Sequence, residues 1–454
     1  MTKSNLALTG LGLSVLVTSL ATSTASIALP VLSQAFAASF QHVQWVVLAY
    51  LLGLTTVIIA AGKLGDRLGR RKLLLTGIVV FTLASAACAA APSLTLLVTA
   101  RAVQGVGAAV MMALSLAFVG DIVPKAKTGS AMGLLGTLSA VGTALGPSLG
   151  GMLIAGFGWP AIFLIQVPVA VIAGGLVWRG VAADRPSTEQ AGFDLAGTIV
   201  LAVTLAAYAL GVTQGQGRLG AVNLALLIFA AAGLALFVRI ETRVSSPLVQ
   251  LGLFRLPGLS AGLAMNALVA AVMMTTLVIG PFYLIHALGL KAATTGLALS
   301  IGPVVTALTG IPAGRLADRY GAMTMSRIGL AVMVAGAGLM VLLPGLTGYL
   351  APLAVLTVGY GLFQAANTTA VMTSAAADNR GVMSGLVNLS RNFGLVTGAS
   401  AMGAIFALAS GGATGPDAVS TGLRVTLAVA VGLILTALAL SLYPASKDLT
   451  HAAD

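Results

Sequence analysis

Residues 62–72 read Gly62-Lys63-Leu64-Gly65-Asp66-Arg67-Leu68-Gly69-Arg70-Arg71-Lys72, the densest charge cluster in the chain, set between two long apolar runs. A second copy lies far downstream as Gly314-Arg315-Leu316-Ala317-Asp318-Arg319-Tyr320-Gly321. The offset is 252 residues (314 minus 62), and it recurs elsewhere without a gap. Gly129, Gly133, Gly142, Gly146 and Gly151 fall on Gly381, Gly385, Gly394, Gly398 and Gly403. One offset shared by separate regions implies two equivalent halves. In a very apolar chain, paired halves are the architecture of a transporter, with a substrate path between them.

Charged residues make up 7% of the 454 and hydrophobic residues 58%, against roughly 25% and about 45–50% in a soluble domain. No water-soluble fold hides that much apolar surface, so the chain reads as an all-α polytopic membrane protein. The net charge of +12 does not point to nucleic acid, because the basic residues are scattered between apolar spans. Cys88 stands alone inside an apolar run, which leaves neither a disulfide framework nor a thiolate metal site. The opening stretch, Lys3 followed by apolar and small residues to Ser26, has the outline of a signal peptide. Its removal would leave the first half with an odd number of spans, so it is read as the first span.

A span needs roughly 20 mainly apolar residues. On that rule helices are expected near 6–29, 43–62, 73–91, 94–120, 128–154 and 160–178, and again near 258–285, 294–312, 324–344, 350–373, 382–409 and 422–443. Residues 179–257 decide between twelve spans and fourteen. Both 195–212 and 221–238 are uncharged and apolar, which gives fourteen. The expected domains are a six-helix bundle at 1–178, a linker with two extra transmembrane helices at 179–257, and a second six-helix bundle at 258–454.

Charge fixes the expected direction. Of 23 Lys and Arg, only Arg218, Lys291 and Arg424 fall outside when both termini are cytoplasmic, while Arg101 and Arg391 lie within helices. The remainder sit inside, as the positive-inside rule demands.

Glycines 62, 65 and 69 permit the short turn between helices 2 and 3. Asp66 is placed to interact with helix-terminal N–H groups and with Arg67 and Arg70. With Asp318 and Arg319 in the matching loop, the cluster reads as a conformational latch, the bland alternative being a solvated basic turn. Helix 5 carries Gly133, Gly142, Gly146, Pro147, Gly150 and Gly151. Gly142, Gly146 and Gly150 recur every four residues, a groove for a neighbouring backbone, and Pro147 removes a backbone donor.

The two loop cassettes, this glycine–proline pattern, and Arg101-Ala102-Val103-Gln104-Gly105-Val106-Gly107 in helix 4 resemble the signature motifs of the major facilitator superfamily. The helix 5 pattern is similar to the antiporter motif of its drug:proton exporters. The extra central pair opening with Phe193-Asp194-Leu195-Ala196-Gly197 looks like the fourteen-helix branch of those exporters. So do Trp159-Pro160-Ala161-Ile162-Phe163 and Ser384-Gly385-x2-Asn388-x2-Arg391-x2-Gly394. The resemblance covers essentially the whole chain. It implies the major facilitator fold, proton-driven export and no cofactor.

One departure stands out. That branch usually carries Leu-Asp-x-Thr in helix 1, eight residues before Ala-Leu-Pro; here Ala21 occupies the aspartate position ahead of Ala28-Leu29-Pro30. On the expected topology no acid lies at mid-membrane, and the buried ionisable groups are the cations Arg101 and Arg391. Charges in a membrane interior are functional candidates by default, the alternative being Arg bonded to carbonyls at a helix kink. Polar neighbours expected to share a proton or substrate path are Ser23, Ser26, Gln104, Asn266, Gln364, Asn367 and Asn388, with Asp121 at a boundary. Met111, Met112, Met273 and Met274 are expected to supply adaptable walls.

The reading that follows is a secondary active exporter of small amphipathic drugs or metabolites, working by proton-coupled alternating access. A second reading is a dedicated exporter or facilitator of one neutral or anionic metabolite; a third, from another class, is a non-transporting membrane receptor or scaffold. An enzyme is disfavoured, because there is no Gly-x4-Gly-Lys-[Ser/Thr] loop, no metal-ligand cluster, and His42, His286 and His451 are far apart. Expected partners are a small-molecule substrate, protons and the lipid bilayer of the cell membrane, with a monomeric protein and no nucleic acid.

Overall fold

The structure, a computed structural model, describes residues 3–123, 128–184, 194–214, 220–244, 247–249, 251–255, 258–373, 380–413 and 415–442. Among the described residues fourteen helices are long and apolar enough to cross a membrane, and there is no strand. They are α1 (Lys3–Ala35), α2 (Trp45–Leu68), α3 (Arg70–Ala89), α4 (Leu94–Ile122), α5 (Thr128–Phe157), α6 (Ala161–Gly180), α7 (Leu195–Thr213) and α8 (Ala221–Glu241). The later six are α9 (Leu259–Ala287), α10 (Ala292–Gly310, its helix running on to Tyr320), α11 (Ala322–Leu342), α12 (Gly345–Thr373), α13 (Gly385–Ala409) and α14 (Pro416–Leu442). Helices are the form that satisfies every backbone group internally in hydrocarbon. The outer faces fit that solvent: Phe157, Leu308 and Leu342 are 80%, 72% and 74% exposed.

Helices in a bilayer gain little from hydrophobic burial against each other, so small residues that let backbones approach carry the packing. Gly77 of α3 and Gly107 of α4 cross so closely that a Cβ on Gly107 would lie 2.7 Å from the Phe81 nitrogen. Gly329 of α11 and Gly359 of α12 make the same crossing, a Cβ on Gly359 falling 2.7 Å from the Met333 nitrogen. All three pairs (77/329, 107/359, 81/333) are separated by 252. The repeat recurs at two further helix contacts. A side chain on Gly142 of α5 would strike the Leu16 carbonyl of α1, and one on Gly394 of α13 the Ala267 carbonyl of α9.

The loops at the ends of α2 and α10 also match in backbone conformation. Gly69 has φ +95° and Gly321 φ +88°, the region that only glycine enters freely. The α3 N-terminus departs from expectation. Its free N–H groups are bound by Asp184, from the segment after α6, which accepts from Arg71 N at 2.8 Å and Lys72 N at 3.0 Å. Asp66 lies instead on the last turn of α2, and its side chain falls outside the described set. A Cβ on Gly69 would sit 2.5 Å from Asp184 Oδ2, so this glycine serves the cap as well as the turn.

The two central helices form a hairpin packed through α7 on α2 and α13. Asp194 starts α7, accepting from Gly197 N at 2.7 Å. Glu241 ends α8, accepting from Val249 N at 2.9 Å. Both carboxylates are buried and both bind backbone at helix ends, which accounts for acids flanking so apolar a pair.

Candidate functional site

Helix α5 uses neighbouring glycines for two different partners. Gly142, Gly146 and Gly150 face α1, where side chains would meet the Leu16 carbonyl, Ser23 and Ile27 respectively. Gly151, one residue on and turned about 100° around the helix, faces α10: a Cβ there would run into the Ala292 carbonyl. The contact is reciprocal, since a Cβ on Gly296 of α10 would strike the Pro147 carbonyl. These glycines lie at the end of α10 away from the 314–321 loop. Aromatic contacts reinforce that end. Phe40 meets Phe282 at 4.8 Å and Phe406 at 5.1 Å between ring centroids, joining the segment before α2 to α9 and α13. A Cβ on Gly62, Gly136, Gly310 or Gly314 would meet nothing within 4 Å.

Above the Gly151–Gly296 contact lies a cavity of about 260 Å³. Helix α5 contributes Ser139 and Thr143, and α9, α10, α12 and α13 form the rest. The polar groups of the second half are Thr276, Thr306, Thr357, Tyr360, Gln364 and Arg391, set among Met273, Leu277, Leu299 and Leu395. Arg391 is the charged group of this lining, and no hydrogen bond or ion pair joins its guanidinium to a described residue. No carboxylate of a described residue lines the cavity. Among the described residues, the acids of the spans stand at helix ends: Asp66, Asp121, Asp194, Glu241, Asp318 and Asp417.

Arg101 is elsewhere. It is fully buried in the first half, donating from Nε to the Val46 carbonyl at 2.8 Å and from Nη1 to Gln104 Oε1 at 2.5 Å. Its guanidinium carbon lies 4.2 Å from the centre of the Tyr50 ring. Gln104 passes the network on, donating to Ser85 Oγ at 2.6 Å and to Gln166 Oε1 at 2.8 Å. Gln166 in turn donates to the Ile162 carbonyl at 2.8 Å. The result ties α2, α3, α4 and α6 through polar bonds in a low-dielectric interior, with Arg101 Nη2 buried and without a hydrogen-bond partner among the described residues.

The structure therefore divides the expected path residues rather than gathering them. Gln364 and Arg391 line the cavity. Arg101 and Gln104 belong to the buried network. Asn266 donates to the Val387 carbonyl at 2.9 Å and Asn367 to the Gly262 carbonyl at 3.0 Å, so both join helices rather than facing the cavity. Asn388 is partly exposed on α13 and outside the cavity lining. Ser23 bonds within α1 and to the Gly142 carbonyl at 3.4 Å, and Ser26 is buried. Met273 alone of the four methionines lines the cavity. Arg67, Asp318 and Arg319 are exposed at the loops. The side chains of Asp66, Asp121 and the surroundings of Gly133 lie outside the described residues. Sequence reading did not single out Ser139, Thr143, Thr306, Thr357 or Tyr360. The 252-residue offset was the one available signal for Ser139, since it places that serine at the position of Arg391.

A larger cavity of about 620 Å³ lies between the α7–α8 hairpin and α9–α13, lined by Leu205, Tyr208, Leu234, Phe237, Leu263 and Phe393 among others. Among the described residues its lining carries no charged group, and it sits at the flank of the bundle, so size does not make it the better site. Polar groups converging in an apolar pocket do.

A family profile described as Major Facilitator Superfamily matches residues 11–399 and, in a second match, 273–453. Multidrug resistance protein Stp of Mycobacterium tuberculosis is 32% identical over 388 residues, covering 84% of this chain and 72% of that protein. Multidrug efflux pump LfrA of Mycolicibacterium smegmatis is 32% identical over 412 residues, 89% of this chain and 81% of that one. An uncharacterized transporter of Escherichia coli, YebQ, is 31% identical over 382 residues, 83% of each. Among solved structures, a bacterial homolog of the human lysosomal transporter Spinster, inward-facing and unoccupied, superposes with a TM-score of 0.68. It shares 15% identity and covers 97% of this chain and 96% of its own.

Proposed function

From the premise that this chain belongs to the major facilitator superfamily, and is thus a multi-pass membrane transporter rather than an enzyme, we propose that it exports small amphipathic drugs or metabolites by proton-coupled alternating access. The observation that carries the reading is the cavity between α5 of the first half and α9, α10, α12 and α13 of the second, bounded by the close Gly151–Gly296 contact. Rocking the halves about that cavity would expose it alternately at each end. Relatives named as multidrug resistance and efflux proteins at about 30% identity support export.

In this reading the halves are 1–178 and 258–454, with 179–257 carrying the extra pair. Both termini are cytoplasmic by the distribution of Lys and Arg, and the working unit is a monomer. The loop cassettes at Asp66 and Asp318 are the switch, since each lies at the end of a helix that must shift as the halves rock. Asp66→Asn is then expected to slow turnover while leaving insertion and binding in place. The coupling proton has no mid-membrane carboxylate to ride, so it is carried by a boundary acid such as Asp66 or Asp121, or by the substrate.

The deciding experiment reconstitutes the full chain in proteoliposomes with an imposed pH gradient and a panel of anionic, neutral and cationic amphiphiles. Gradient-dependent movement of at least one compound is expected. Absence of transport across the panel, with the protein correctly inserted, would leave a receptor or scaffold as the better account.

A further inference from the structure

We infer that the cavity at Arg391 is a binding site for an amphipathic organic monoanion, whose carboxylate or sulfonate pairs with the guanidinium while its hydrocarbon lies against Met273, Leu277, Leu299 and Leu395. The inference deepens the transport reading above and rests on it for the cavity's role as a substrate site.

Three features of the lining carry it. Arg391 brings a positive charge to a cavity among spanning helices, where an unpaired charge is costly, and no described residue forms an ion pair or hydrogen bond with it. A bound anion supplies the missing counter-charge. Thr306 and Thr357 donate their hydroxyl protons to the Gly302 and Leu353 carbonyls, and Tyr360 and Gln364, also in the lining, bring a hydroxyl and an amide donor to an anion's remaining lone pairs. Among the described residues no carboxylate lines the cavity to receive a cation, so a cationic ligand meets like charge without compensation.

Size and shape narrow the ligand further. The cavity of about 260 Å³ lies just below the ~300–1,000 Å³ of common small-molecule pockets, which suits one or two fused rings. The planar fork of Arg matches a carboxylate in two parallel hydrogen bonds. Met273, Leu277, Leu299 and Leu395 belong to the apolar part of the lining.

The test uses the full chain in lipid nanodiscs and measures equilibrium binding of three matched probes: 2-naphthoate, 2-naphthamide and 2-naphthylmethylammonium. Wild type is expected to bind the carboxylate about ten- to hundredfold more tightly than the other two. Arg391→Gln should abolish that preference with little change for the amide, and Arg391→Lys should restore part of it. Equal or tighter binding of the ammonium probe by wild type overturns the proposal, as does binding of none of the three or a preference that survives in Arg391→Gln. The wild-type ranking decides without any variant having to fold. Failure of the transport reading is separately visible: anion binding without movement in proteoliposomes removes transport and leaves the site, whereas transport confined to cations removes the site and leaves transport.

Discussion

Ser139 and Arg391 stand 252 residues apart, at the same position of the internal repeat, and line one cavity from α5 and α13. The first half contributes a hydroxyl, hydrogen-bonded to Ser19 Oγ at 2.7 Å, where the second contributes a cation. Of the helices that line it, α5 and α13 are equivalent in the repeat, and their difference at this position sets a hydroxyl against a cation. Ser139→Asp is expected to place a carboxylate in the same cavity and neutralise it, lowering export of anionic amphiphiles and admitting cationic ones. Parallel efflux assays with matched acid and amine substrates, at equal expression, check this; an unchanged ranking would count against it.

The closed end depends on the absence of side chains at Gly151 and Gly296. Gly296→Leu would press on the Pro147 carbonyl, and overpacking of this kind costs about 1–3 kcal/mol, enough to shift the balance of states by roughly tenfold. A cysteine placed at Ala293 in a Cys88→Ser background should then react faster with a membrane-impermeant maleimide, and turnover should fall. Equal labelling rates in the glycine and leucine backgrounds would show that this contact does not govern closure.

Arg101 is expected to act on stability rather than on substrate choice. Lysine cannot donate to the Val46 carbonyl and Gln104 together while lying flat on Tyr50, so Arg101→Lys should cost about 2–4 kcal/mol, as breaking a buried charged network does. Thermal unfolding in detergent reads the loss. A variant as stable as wild type but altered in substrate ranking would move Arg101 into the transport path.

Gln364 and Asn367 lie less than one helical turn apart on α12 and should separate cleanly. Gln364→Leu should weaken ligand binding with little change in melting temperature, because its side chain lines the cavity. Asn367→Leu should do the reverse, since it removes the bond to the Gly262 carbonyl between α9 and α12. Binding and melting curves on both variants settle the comparison.

At the α2–α3 loop, Gly69→Ala should destabilise more than Asp184→Asn. The alanine must adopt φ near +95°, a strain of about 1–3 kcal/mol, and its Cβ also displaces the Asp184 carboxylate. Asp184 receives Arg71 N on Oδ1 and Lys72 N on Oδ2, so the asparagine keeps one of the two acceptors and gives up the other bond and the charge, without backbone strain. Melting temperatures in the opposite order would dissociate the glycine from the cap.

The sequence by itself determined the number of spans, the repeat and the small-residue packing. Hydrocarbon solvent allows a chain of this composition little beyond helices of about 20 residues, and close backbone crossings record themselves as glycines at fixed spacing. Gly142, Gly146 and Gly150 were therefore legible as one face, and Arg391 as a charge requiring a reason. Only the tertiary structure decided which polar residues share a site. Whether Asn367 bonds a neighbouring carbonyl and Gln364 faces a cavity is a matter of about 300° of rotation around one helix and of which helix stands opposite. The same holds for Asp184, which caps α3 from more than a hundred residues away, and for Arg101, whose partners come from α2 and its own helix. Local pattern records what a helix needs from its solvent; the identity of its neighbours is set by the packing of all the helices together.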